Sequence, residues 1–165
     1  MRYAIGNLWE YWENGFSIVI PTNIGWKANG DNVMGAGLAR EAAERFPRIV
    51  GIYGLYCWRF RGRAGVTAID WEKRITDKKL FMFPVKPLNN KPWESWKGKA
   101  DLLLIKRSTI QLQNLVERMG QIAVALPLVG CGNGELTRCQ VLPILDANLD
   151  SRFVLTERDR RDFGI

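Results

Sequence analysis

The sequence predicts a single α/β domain of three layers, with helices on both faces of a central sheet. Three observations carry that expectation: a length of 165 residues, a 47% apolar composition, and short apolar β-branched runs that alternate with helical patterns. At roughly 100–200 residues per domain, residues 1–165 are expected to form one unit.

Taken in chain order, Tyr3-Ala4-Ile5 is a weak strand and Ser17-Ile18-Val19-Ile20-Pro21 a strong one. Leu38 to Phe46 has a helical pattern closed by Pro47. Val66-Thr67-Ala68-Ile69 is a second weak strand, and Leu80-Phe81-Met82-Phe83-Pro84 a second strong one. Leu88 to Gly98, with Pro92, Trp93 and Trp96, is expected to be an irregular surface loop. From Lys99 to Met119, Leu102, Ile105, Leu112, Leu115 and Met119 recur at helical spacing, so one helix face packs on the sheet. Ile122 to Pro127 is the third strong strand, Thr137 caps a helix through Val141, Leu142 and Leu145, and Arg152-Phe153-Val154-Leu155 is a last weak strand. The strong runs are expected to be central and to stop at their prolines, leaving a ligand crevice at the strands' carboxyl ends, with the weak runs nearer the edges.

Lys and Arg number 24 against 17 Asp and Glu, a net charge of +7, and there is no histidine. Ser-His-Asp and Cys-His hydrolases, HExxH metalloproteases and His-liganded metal sites therefore cannot be built from this chain. A general base must be Asp, Glu, Lys, Tyr or a ligand group. Cys57, Cys131 and Cys139 show no CxxC spacing, so no disulfide framework or structural metal site is expected, and a reducing cytoplasm is the expected compartment. No signal-peptide run and no membrane span of about 18 apolar residues is present. The charge is concentrated: Trp58 to Arg107 holds 13 basic and 5 acidic residues. Trp58, Phe60, Trp71, Phe81, Phe83, Trp93 and Trp96 are interleaved there, which suits either a DNA or RNA partner or a solvated basic face.

Two glycine-bearing loops follow two of the strong strands. Pro21 to Ala39 runs from a strand end into a helix amino terminus, where Gly35 and Gly37 allow backbone amides to approach an anion. Pro127 to Glu135 is expected to repeat that arrangement ahead of the helix near Thr137, so that two cradles hold a diphosphate between them. Neither is a Walker A or a GxGxxG sequence. Without a histidine beside it, Cys131 is expected to be a packed loop residue and not a nucleophile.

Three segments in this order, Thr22-Asn23 with Val33 to Pro47, Phe83-Pro84-Val85-Lys86, and Leu126 to Gly134, resemble the macro domain family across nearly the whole chain. The similarity is to the phage and bacterial subgroup that includes the antitoxin macro domain of DNA ADP-ribosylating toxin systems. The resemblance implies a three-layer α/β/α macro domain with a central mixed sheet and an ADP-ribose pocket, with no cofactor and no metal. It places Asn23 at the distal ribose, Met34, Gly35, Ala36, Gly37 and Leu38 along that ribose and the diphosphate, and Val129, Gly130, Cys131, Gly132, Asn133 and Gly134 over the diphosphate. At the adenine it places Asn7, with Leu8 following, where the family has an acid. Lys27, Asn29, Asp31 and Asn32, in a longer loop, are expected near the distal ribose. Lys86 matches a catalytic lysine of related hydrolases, while the acid that some relatives pair with it falls on Gly134, one residue before Glu135. The implied activity is removal of ADP-ribose from a nucleic-acid base or protein. A non-catalytic reader or sponge of ADP-ribose and NAD-derived signals, and a phosphatase of ADP-ribose 1″-phosphate, remain open at this level.

Overall fold

The computed structural model describes residues 1–72 and 76–158. Six strands, β1 (Arg2–Ile5), β2 (Ser17–Asn23), β3 (Thr67–Ile69), β4 (Leu80–Lys86), β5 (Val124–Leu126) and β6 (Phe153–Glu157), form one sheet in the order β1-β6-β5-β2-β4-β3. Only the β3–β4 pairing is antiparallel, so the sheet is mixed. Helices α1 (Leu8–Glu13), α2 (Gly37–Arg45), α3 (Ile49–Phe60), α4 (Leu102–Arg118) and α5 (Arg138–Asn148) complete the described part. None of them is long and apolar enough to cross a membrane.

Period-2 alternation divides the strands between two cores. Ile18, Ile20, Leu80 and Met82 pack with Trp12 of α1, Ala42 of α2 and Tyr53 of α3. Val19, Phe81 and Phe83 point the other way, against Ile105 and Leu112 of α4 and Val141 and Leu145 of α5. The result is the expected three layers. The strong strands are the central ones, β1 and β3 lie at the edges, and β6 is one place in from β1.

The expectation that prolines end the strong strands holds for Pro127 alone, because β2 runs on through Pro21 and β4 through Pro84. The Ser17 amide bonds Ala123 O on the β5 side and the Ile18 amide bonds Lys79 O on the β4 side. By alternation the Pro21 nitrogen faces β5, whose pairing with β2 ends at Ile18↔Ala125. The Pro84 nitrogen likewise faces the β3 side, beyond the last pairing at Thr67↔Met82, and its carbonyl accepts from Ser108 Oγ at 2.8 Å. Neither proline removes a donor that a neighbouring strand requires.

The early end of β2–β5 pairing also opens the sheet. The chain leaving β2 goes through α2 and α3 toward β3 at one edge, whereas the chain leaving β5 goes through α5 to β6 on the other side. Connections diverging in this way leave a crevice at the strands' carboxyl ends.

Candidate functional site

A cleft of about 960 Å³ occupies that crevice, floored by Pro21, Thr22 and Asn23 of β2, Val85 and Lys86 of β4, and Pro127 after β5. Its size is at the upper end of the roughly 300–1,000 Å³ typical of small-molecule sites. One wall is Gly35, Ala36, Gly37 and Leu38 at the start of α2. The cap residue Ala36 contributes no side-chain hydrogen bond, so the first amides of this nine-residue helix are left for a ligand, at its positive dipole end.

The opposite wall is Gly130, Cys131, Gly132, Asn133 and Gly134. It is not the second helix terminus that the sequence suggests. Gly132–Gly134 forms one 3-10 turn, and the amino end of α5 is closed on itself by the Thr137 amide donating to Gln140 Oε1 at 2.9 Å. This second cradle is a backbone turn, tied down by the Ala100 amide on Gly134 O at 2.9 Å and the Leu136 amide on Gly130 O at 3.1 Å. The walls approach each other closely: a Cβ built on Gly37 would lie 3.3 Å from Asn133 Nδ2.

Asn23 is buried and bound within the protein. Its Nδ2 donates to Val33 O (2.8 Å), and its Oδ1 accepts from the Gly25 amide (3.0 Å) and from Asn32 Nδ2 (3.1 Å). The polar loop beyond it does not line the cleft as expected. Asn29 and Asp31 bond each other in a local turn, Asn32 is buried and also donates to Gly25 O at 2.8 Å, and Lys27 is exposed. These polar groups satisfy the loop's own backbone, and of residues 24–34 only Val33 reaches the cleft.

Four other expected ligand residues also lie outside the lining. Leu8, Met34 and Val129 are buried in the two cores. Asn7 caps α1, its Oδ1 accepting from the Trp9 amide at 3.0 Å. Cys131 does line the cleft, and burial, with Glu157 nearby, pushes its thiol up, which disfavours the thiolate and fits a packed residue.

Lys86 reaches the cleft from the last position of β4. Its Nζ donates to Trp96 O at 2.6 Å, and burial holds its pKa below the ordinary 10.5 while the Glu135 carboxylate pulls it back up. Glu135 itself lines the cleft, with φ of 60°. A left-handed backbone at a non-glycine residue is strained, and here it follows directly on the 3-10 turn that forms the second wall. An acid one residue away from the position expected from the resemblance therefore comes within electrostatic range of the lysine. Sequence reasoning also missed Trp96, Lys97 and Gly98, which form the rim beside Lys86. They sit there because the loop after β4 docks on the loop after β2: a Cβ on Gly25 would fall 2.0 Å from Pro92 O and 2.5 Å from Ser95 Oγ. Gly25→Ala should accordingly lower stability by about 1–3 kcal/mol, measured by denaturant unfolding. An unchanged midpoint would mean that the two loops are not packed as described.

The basic stretch is not one face. Lys79 is buried and ion-paired to Asp70, and Lys78 lies over the Trp12 ring beyond the amino end of β4. Phe81 and Phe83 are core residues and Trp71 packs on Trp12 and Phe46, so none of the three is a surface stacking group. Lys73 and Arg74 lie outside the described residues. Lys86, the last residue of β4, and Lys97 line the cleft, Lys91 and Lys99 are exposed on the segment that follows β4, and Arg59, Arg61 and Arg63 lie at the end of α3.

No protein-family model matches the sequence. Over 105 residues, 63% of the chain, it is 28% identical to the DNA ADP-ribosyl glycohydrolases of Mycobacterium bovis and Mycobacterium tuberculosis, a match that spans 28% of their length. In three dimensions it is similar to the macrodomains of Mycobacterium tuberculosis DarG and Thermus aquaticus DarG. Each has a TM-score of 0.73 at 24% identity, covering 96% of this chain and 97% of theirs. It is also similar to Thermosipho africanus DarTG in complex with ADP-ribose, with a TM-score of 0.70 at 18% identity over 94% of this chain and 41% of that one. The chain therefore has the macrodomain fold.

Proposed function

We propose that the chain binds ADP-ribose in this cleft and hydrolyses the bond joining its distal ribose to a nucleic-acid base. The observation that carries the reading is Lys86, partly desolvated, held on the Trp96 carbonyl and facing Glu135 between two backbone cradles suited to a diphosphate. The names of the 28%-identical relatives point the same way. In the proposed step the neutral Lys86 amine takes a proton from a water molecule, whose oxygen bonds to the anomeric carbon. The glycosidic bond breaks with its electron pair leaving on the base, and the Lys86 ammonium returns the proton to that base. Glu135 tunes the lysine's pKa and holds the ammonium formed between the two transfers.

The test is release of ADP-ribose from an ADP-ribosylated single-stranded DNA oligonucleotide, run beside an ADP-ribosylated protein and ADP-ribose 1″-phosphate. Release from the oligonucleotide is the expected result. Tight binding of ADP-ribose without release from any substrate would make the chain a reader, and release of phosphate alone would make it a phosphatase. The pH profile checks the assignment of Lys86. Because the neutral amine is the active form, the rate should rise with pH and level off below the ordinary lysine value of 10.5. Glu135→Gln removes the charge that raises the lysine's pKa, so this limb should move to lower pH. A rate that falls as pH rises would instead make Lys86 a cationic stabiliser.

A further inference from the structure

Trp96 is about half exposed (49%) on the cleft rim, although burying an indole is among the most favourable uses of apolar surface. Its exposure is not that of a loose loop. The segment is fixed by Gly25 against Pro92 and Ser95, by the Asn89 amide on Ser95 Oγ at 3.0 Å, and by a 3-10 turn at Pro92–Glu94. The ring has a cation beside it, with Lys97 Nζ 5.5 Å from its centroid and tied to Glu94 at 3.0 Å. The backbone carbonyl of the same residue holds Lys86, and both residues line the cleft, so Trp96 borders the place of the lysine assigned to the anomeric carbon. Lys91 and Lys99 are exposed on the same segment, and its one acid, Glu94, already pairs with Lys97.

Resting on the function proposed above, we infer that Trp96 is the stacking platform for the nucleobase attached to the distal ribose. Lys91, Lys97 and Lys99 then hold the phosphates of the single strand on either side of it. An indole stacks on any base with an open face, and a base within a duplex has none, so the preferred substrate is single-stranded. The cleft thus divides in two: backbone cradles for the ADP-ribose part, and this aromatic and cationic rim for the polynucleotide.

The experiment compares Trp96→Ala and Trp96→Phe on three probes: an ADP-ribosylated single-stranded oligonucleotide, an ADP-ribosylated protein and free ADP-ribose. Trp96→Ala should raise KM for the oligonucleotide by about tenfold to a hundredfold, and Trp96→Phe should restore most of it. Free ADP-ribose affinity should stay within about twofold, and whatever release the protein substrate shows should fall at least about fivefold less than release from the oligonucleotide. Lys91→Ser and Lys99→Ser should each flatten the dependence of log KM on log salt by about 0.7 for the oligonucleotide. Equal losses on oligonucleotide and protein would mean that the ring merely positions Lys86, and would overturn the inference, as would an unchanged KM in Trp96→Ala. A parent chain that fails to bind ADP-ribose would overturn the proposed function as well, so the two failures are distinct.

Discussion

Replacing Lys86 by alanine lowers the rate of ADP-ribose release by about 10²- to 10⁴-fold while ADP-ribose affinity changes less than about tenfold, the split expected when an acid–base group is removed from a preformed site. The geometry explains why binding is spared. The diphosphate contacts come from the backbone of the α2 terminus and of the Gly130–Gly134 turn, whereas Lys86 arrives from β4 on the cleft floor. Folding is spared too, because the group lost is a partly exposed side chain whose one hydrogen-bond acceptor, Trp96 O, lies on a loop anchored elsewhere. Single-turnover release from the oligonucleotide, with calorimetric titration of ADP-ribose, measures both halves. Release at the parental rate would remove Lys86 from the mechanism. A parallel loss of affinity and rate would make it a binding residue.

The fold was legible where the residues carry a period. Ile18-Val19-Ile20 and Leu80-Phe81-Met82-Phe83 send alternate side chains into two cores, and the β-branched and aromatic content marks them as buried strands. Two helices carried no such mark. At six residues, Leu8–Glu13 is too short to show a helical period. Ile49–Phe60 is apolar nearly all round: Ile49, Tyr53 and Cys57 are buried while Ile52, Leu55 and Trp58 are exposed. An amphipathic stripe cannot be read from such a sequence.

The two glycine loops were legible because a backbone that must approach a ligand excludes side chains, and that requirement is visible in the residue types themselves. The rim was not, because Trp96 and Lys97 reach the cleft only through the packing of one loop on Gly25 of another, 71 residues before Trp96 in the chain. Asn29, Asp31 and Asn32 misled in the opposite sense, since short polar side chains in a loop serve its own amides and carbonyls before any ligand. Asn7 shows the same competition: the oxygen that the resemblance assigns to a base already accepts from Trp9 N–H.

Gly37→Glu and Gly132→Glu should each abolish ADP-ribose binding, raising Kd by at least about a hundredfold from a micromolar value near −8 kcal/mol, while leaving a folded chain. Both positions line the cleft and both have positive φ, 56° at Gly37 and 76° at Gly132. A side chain at such a φ costs about 1–3 kcal/mol, which a domain of typical stability tolerates. At Gly132 nothing lies within 4 Å of an added Cβ, so the glutamate fits the free protein and fills the space left for the diphosphate. At Gly37 the nearest atom is Asn133 Nδ2 at 3.3 Å, the end of an exposed side chain that can shift. The new carboxylate then faces the diphosphate at short range, where repulsion runs from about 1 kcal/mol per charge pair in water to about 4 kcal/mol near a protein surface, in addition to the steric block. Calorimetric titration with ADP-ribose and a circular dichroism melt of each variant decide the matter. A variant that melts within a few degrees of the parent and shows no binding heat supports the two-cradle site. Retained affinity in both variants, with intact spectra, would place the diphosphate outside the crevice between β2 and β5.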